Sequence, residues 1–229
     1  MSMVSEVRAF AAVAREEVEF LVRCAVAPVL PWPPLPTPKP KPGRPPVLLV
    51  HGYLGHPEML HPLAAALLAN GAPRVERVQY DSLTLPFEEI VAAIAGAARA
   101  LNEGQPVDLV GHSLGAVACQ AWIKLYGGAP LVRRFVSLGG PHGGTSLYRL
   151  VPSPVRAAFD PRGGIVRRLA EGDEPVPTTV VRAQYDHQVF PPRRARLAGI
   201  EERVIGTHGH NSLLWSADAH EAVNEALSA

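Results

Sequence analysis

Val107-Asp108-Leu109-Val110-Gly111-His112-Ser113-Leu114-Gly115 reads as a buried strand that breaks into a helix at a serine. Val107 to Val110 is short and mostly apolar, the mark of a parallel strand covered on both faces. Leu114 to Tyr126 reads as a helix ended by Gly127-Gly128, with small Ala116 and Ala118 for close packing. Between them Gly111 to Gly115 spells G-x-S-x-G. A strand that turns sharply into a helix leaves no room for side chains two residues either side of the apex, so glycine stands at both places. The apex residue is held in a strained conformation with its side chain above the sheet. The first N–H groups of the helix favour negative charge there. Ser113 is therefore the candidate nucleophile. A helix N-cap serine in a glycine-rich turn is the plainer alternative.

The same alternation runs outward from this turn. Val47-Leu48-Leu49-Val50 is a second buried strand, stopped by Gly52, and a helix over about 59–70 follows, ended by Asn70-Gly71. Arg74 to Tyr80 reads as a strand and Phe87 to Leu101 as an alanine-rich helix. Phe135–Leu138, Thr179–Ala183 and Arg203–Ile205 read as three further strands, and Trp215–Leu227 as a last helix. Strands alternating with helices make βαβ units, and right-handed crossovers place helices on both faces of a parallel sheet. Ligands bind beyond the carboxyl ends of such strands.

Ahead of this domain lie two other segments. Residues 1–27 carry one amphipathic helix, with Val4, Val7, Ala11, Ala14, Val18, Leu21, Val22 and Ala25 recurring at spacings of three and four. That stripe is expected to dock on the body of the domain, with a second subunit or a membrane surface as alternatives. Residues 28–45 form a proline-rich linker, with ten prolines between 28 and 46. Proline fixes φ and removes the N–H donor, so an extended spacer of polyproline II character is expected.

Composition sets the outer bounds. The chain has 229 residues, 47% hydrophobic and 19% charged, enough for one domain with a sizeable core. A formal net charge of +1 leaves no basic footprint for nucleic acid. No apolar run approaches the length of a membrane span. Charged residues from Glu6 to Arg23 interrupt every stretch that could serve as the core of a secretory signal. A cytoplasmic protein is the expectation, with peripheral membrane association as the alternative. Cys24 and Cys119 read as two free, structural thiols.

Several motifs then occur in one order: Val50-His51-Gly52-Tyr53, Gly111-His112-Ser113-Leu114-Gly115, Gly140-Pro141-His142-Gly143-Gly144-Thr145, Tyr185-Asp186 and Gly209-His210-Asn211-Ser212-Leu213-Leu214. With them the sequence resembles the α/β-hydrolase superfamily, and within it the small bacterial lipases and esterases of triacylglycerol lipase type. The resemblance covers about residues 46–228. It implies a minimal, mostly parallel six-stranded sheet with helices on both faces.

A serine hydroxyl needs a base to take its proton, and the base needs an orienting acid. The resemblance implies the chain order serine, acid, histidine. Asp186, just after the strand Thr179–Ala183, is the best acid, ahead of Asp160, Asp173 and Asp218. His210 is the best base and His208 its near rival; the resemblance selects His210. His51 and His112 read as structural, and His56, His61, His187 and His220 as surface residues. His208 and His210 lack a nearby third ligand, so no metal and no cofactor are expected. Oxyanion donors are expected at the backbone N–H of Leu114 and, by resemblance, of Tyr53.

Residues 146–177 are long enough for a helix and loops as a small lid, not for a large cap. Arg149, Arg156, Arg162, Arg167 and Arg168 make it basic. A solvated surface is the plain reading of those arginines, and attraction to an anionic lipid surface the sharper one. The expected partner is a small-molecule ester or lipid substrate, cleaved through an acyl-enzyme. Acyl transfer or thioester hydrolysis on the same triad is the alternative, and a non-catalytic binding module a more distant one. Oligomeric state is not legible in the sequence.

Overall fold

The computed structural model describes residues 3–26, 31–151, 154–206 and 208–229, without the side chains of residues 3–10. Val4 and Val7 of the expected stripe, residues 28–30 of the linker and Pro152 of the lid fall outside this description. Six strands make one sheet: β1 (Val47–Val50), β2 (Val75–Arg77), β3 (Val107–His112), β4 (Val132–Leu138), β5 (Thr178–Ala183) and β6 (Glu201–Ile205). Their order is β2-β1-β3-β4-β5-β6, and every neighbouring pair is parallel. The chain reverses its direction of travel across the sheet between β1 and β3, which opens a crevice at their carboxyl ends. The alternation of buried strands and helices is thus a doubly wound α/β fold. The strand expected over 74–80 is shorter, because it lies at the sheet edge and Tyr80 leaves the ladder to stack on His51, ring centroids 4.0 Å apart.

Two apolar layers sandwich the sheet. One holds α3 (Phe87–Leu101) and α4 (Leu114–Leu125), with Ile90, Ile94, Trp122 and Phe135 fully buried. The other holds α2 (His61–Ala69) and α6 (Ala217–Ser228), with Leu63, Leu67, Val223 and Leu227. Between β4 and β5 the segment expected to form a lid is short turns plus α5 (Gly164–Leu169). All five of its arginines named above are exposed. Asp108, wholly buried on β3, takes a two-pronged contact from Arg133 at 2.9 and 2.7 Å.

The N-terminal helix α1 (Met3–Val26) docks on the body of the domain, but by another face than expected. Val18, Leu21 and Val22 are 59%, 50% and 56% exposed, and Ala11, Ala14 and Ala25 are exposed too. The inward face carries Val13, Glu17, Phe20 and Cys24, also spaced by three and four. A glutamate on that stripe hid it, and the reason for its burial appears at the functional site. Phe20 is fully buried and meets Trp215 edge to face, centroids 5.5 Å apart. Phe20→Ala is expected to lower unfolding free energy by about 3–5 kcal/mol in a urea titration. An unchanged midpoint would mean that α1 is a loose appendage.

The proline segment is not a free spacer. Trp32 lies stacked on His61, centroids 5.5 Å apart, with the Arg23 guanidinium 3.9 Å from its ring centre. Lys41 N–H donates to Gly71 C=O at 3.0 Å, and Arg44 donates to Asn224 at 3.0 Å. Its absent donors keep it out of the sheet, yet its apolar rings still find a surface to cover. His61 is therefore buried rather than exposed, and His220 is half-buried, bonded to Leu214 C=O at 2.8 Å. Cys24 and Cys119 are free. Among the described residues no helix is long and apolar enough to cross a membrane.

Candidate active site

Ser113 sits where β3 passes into α4, with φ 53° and ψ −121°. That left-handed backbone is costly for a residue with a Cβ and persists only where neighbours enforce it. The two flanking glycines show the enforcement. A Cβ on Gly111 would lie 2.6 Å from Ala116 Cα, and one on Gly115 2.7 Å from the Val50 carbonyl oxygen. A side chain at either position would push α4 off the strands. The first N–H groups of α4, Leu114 included, have no acceptor within the helix and face the Ser113 end.

The loop after β1 closes on the same point. A Cβ on Gly52 would lie 2.8 Å from Ser113 Cβ. Gly55 N–H bonds back to Gly52 C=O at 3.1 Å, and Leu54 N–H donates to Ser82 Oγ at 2.8 Å. The Tyr80 hydroxyl donates to the His51 carbonyl. Burial pushes His51 down to about 4, so its ring is a neutral brace for this loop. Tyr53 is half-buried beside Phe159, edge to face at 6.2 Å.

Asp186 and His210 arrive from the loops after β5 and β6. Asp186 Oδ2 accepts from His210 Nδ1 at 2.8 Å, and Oδ1 accepts from the N–H groups of Gln188 and Val189 at 2.9 and 2.7 Å. Burial by itself would raise the Asp186 carboxyl. The charge and hydrogen bond of His210, with those two N–H groups, outweigh burial and hold it below the usual carboxylate range. Burial would likewise depress His210, but the Asp186 charge and hydrogen bond, then the Glu17 charge, raise it above its ordinary value. With Nδ1–H committed to Asp186, Nε2 carries the lone pair, and it is buried with no hydrogen-bond partner among the described residues. Nε2 makes no hydrogen bond to Ser113, yet both residues line one cleft.

His112, inside the elbow motif, is structural with a specific task. Burial, then His210, pushes it down to about 3, so it is neutral. Its Nε2–H donates to the His210 carbonyl at 3.1 Å, tying the elbow to the base loop. His142 is a third buried neutral ring, between Ser137 Oγ at 2.6 Å and Gln120 Oε1 at 2.8 Å. Thr145 Oγ1 donates to Gln188 C=O at 2.7 Å and accepts from Phe190 N–H at 3.1 Å. The Gly140–Thr145 motif thus ties the loop after β4 to the Asp186 loop. His208, the rival base, is turned away and paired with Glu16 at 2.5 Å. Asp186 and Glu17, and not Asp160, Asp173 or Asp218, are the carboxylates that shift His210. Among the described residues no group of three His, Cys, Asp or Glu side chains could hold a metal ion.

Tyr53, Leu147, Leu150, Val151, Phe159 and Val189 line an apolar cavity of about 180 Å³ that opens onto Ser113 and His210. A larger cavity, of about 730 Å³, lies instead between the proline segment and the Leu54–Met59 stretch. It does not reach the serine, so the smaller one is the candidate acyl site.

The model of the palmitoyl protein thioesterase family matches residues 46–191. The chain belongs to the palmitoyl protein thioesterase family. The match spans Ser113 and Asp186 and stops before His210, so membership rests on the elbow side of the cleft. It makes the chain an esterase- or thioesterase-type α/β-hydrolase. No protein of curated function matches the sequence. Among solved structures, a Bacillus licheniformis lipase in mature form aligns with TM-score 0.71 and 17% identity, over 84% of this chain and 95% of that one. A Paleococcus ferrophilus monoacylglycerol lipase aligns with TM-score 0.59 and 16% identity, over 83% and 96%. The thioesterase domain of a curacin biosynthetic pathway aligns with TM-score 0.58 and 17% identity, over 83% and 93%. At such identities these likenesses show that the family member shares their fold.

Proposed function

We propose that the protein is a serine acyl hydrolase in which Ser113 is the nucleophile, His210 the base and Asp186 the orienting acid. The observation that carries this reading is the unpartnered, buried Nε2 of His210, in the same cleft as the strained serine and oriented through Nδ1 by Asp186. His210 takes the Ser113 proton as the oxygen attacks the acyl carbonyl. The oxyanion that forms rests on the N–H groups of Tyr53 and Leu114. His210 then gives the proton to the leaving alcohol or thiol, and water cleaves the acyl-enzyme by the same steps. Asp186 stays ionised and stabilises the imidazolium.

The substrate is a carboxylic ester with a short or medium acyl chain. At about 30 Å³ per water-sized group, a cavity of about 180 Å³ holds roughly six chain atoms. Each buried methylene adds about 0.8 kcal/mol, or roughly fourfold in kcat/KM. Across p-nitrophenyl esters, kcat/KM is therefore expected to climb about fourfold per carbon to a chain of about six, then flatten. A flat series from acetate onward would exclude this cavity as the acyl site. Family membership favours thioesters as the second reading. Oxoester and thioester substrates with one acyl chain, assayed side by side, decide between them.

A further inference from the structure

The carboxylate of Glu17 lies on the N-terminal helix, far from Ser113 in sequence, and only 6% of the residue is exposed. Its Oε1 accepts from Asn211 N–H at 2.8 Å and from Ser212 N–H at 2.7 Å, and its Oε2 accepts from Asn211 Nδ2 at 2.9 Å. A buried carboxylate is costly unless its lone pairs are met, and here three N–H donors meet them. All three donors belong to the two residues that follow His210. On the other side of His210, a Cβ on Gly209 would lie 2.7 Å from Glu17 Oε1 and 2.9 Å from Val13 Cγ1. The helix therefore grips the base loop immediately before and immediately after His210. One residue further back, Glu16 pairs with His208 at 2.5 Å.

We propose that Glu17 is a positioning residue for His210: through the N-terminal helix it fixes the loop that carries the base and places a negative charge behind the imidazole. The inference rests on the triad reading above and extends it to a segment outside the residues matched by the family model. The groups facing His210 are Asp186, Ser113, His112 on β3 and Glu17 on α1. Those facing Glu17 also include His187, whose Nε2 is 3.8 Å from Oε2. Burial opposes the charged form of His210 most strongly; Asp186 offsets this first and Glu17 after it. Glu17 thus has two separable effects. It holds the loop in place, and it helps keep the base protonatable above its ordinary range.

Glu17→Gln removes the charge and keeps the shape, since the Asn211 amide can turn its oxygen toward the new NH2 group. The His210 Hε1 resonance, assigned by its loss in His210→Gln, is titrated by NMR in wild type and variant. The midpoint is expected to fall by roughly a few tenths of a pH unit in Glu17→Gln. The acid limb of kcat/KM for p-nitrophenyl butyrate is expected to move with it. Glu17→Ala releases the loop as well, and kcat is expected to drop about 10–100-fold with KM nearly unchanged. A His210 midpoint that stays put in Glu17→Gln overturns the proposal, whatever the thermal stability does. So does a midpoint that moves as far in His187→Gln. The NMR titration needs no turnover, so an inactive wild type would defeat the triad reading alone and leave this test standing.

Discussion

Ser113→Ala lowers kcat/KM for p-nitrophenyl butyrate by about 10⁴–10⁶-fold and leaves the thermal unfolding midpoint almost where it was. The size follows from removing the atom proposed to form the acyl bond. The small stability effect follows from the geometry. Alanine keeps the Cβ, so it meets the same φ of 53°. Ser113 makes no side-chain capping hydrogen bond to α4, so no such bond is lost. Steady-state hydrolysis and a thermal melt on the same sample check both halves. A large fall in the midpoint would assign Ser113 to the fold, and retained hydrolysis would assign the chemistry to another residue.

Asp186→Asn has the second largest expected effect, a loss of about 10⁴-fold in kcat. The asparagine can still accept from Gln188 and Val189 through its oxygen, so the loop is kept. Its NH2 group then faces His210 Nδ1, which must become the acceptor. The proton moves to Nε2, the atom that has to take the serine proton. The pH profile reports the same change. In the wild type Asp186 is the chief group raising His210, and the base works only when neutral, so activity falls as pH drops through a midpoint above the ordinary histidine value. In Asp186→Asn that support is gone, and the acid limb of the residual activity is expected at lower pH. A variant whose acid limb stays in place would show that another group governs it.

The sheet and the elbow were legible because the signals were local. Val47–Val50 is a short apolar run and Val107–Val110 a mostly apolar one, each of strand length and stopped by glycine, and Gly111, Ser113 and Gly115 match a turn with strict steric demands. The position of Asp186 was legible because it follows a strand at the carboxyl edge of the sheet. His210 needed the resemblance, since His208 has the same local setting and only tertiary packing turns it to Glu16. The N-terminal helix misled for a physical reason. Hydrophobic periodicity selected Val18, Leu21 and Val22, which face outward, and the true inner stripe contains Glu17. A carboxylate can be buried only where donors await it, and the donors lie nearly two hundred residues away in the chain. The proline segment misled in a similar way. Its composition excludes regular hydrogen bonding but says nothing of where Trp32 rests.

The central claim is that Ser113 is the one activated nucleophile of this cleft. Intact-protein mass spectrometry after treatment with a fluorophosphonate probe, followed by peptide mapping, tests it most directly. A single adduct on Ser113, absent from Ser113→Ala and much slowed in His210→Ala, is the predicted result. No adduct, or an adduct on any other residue, would contradict it.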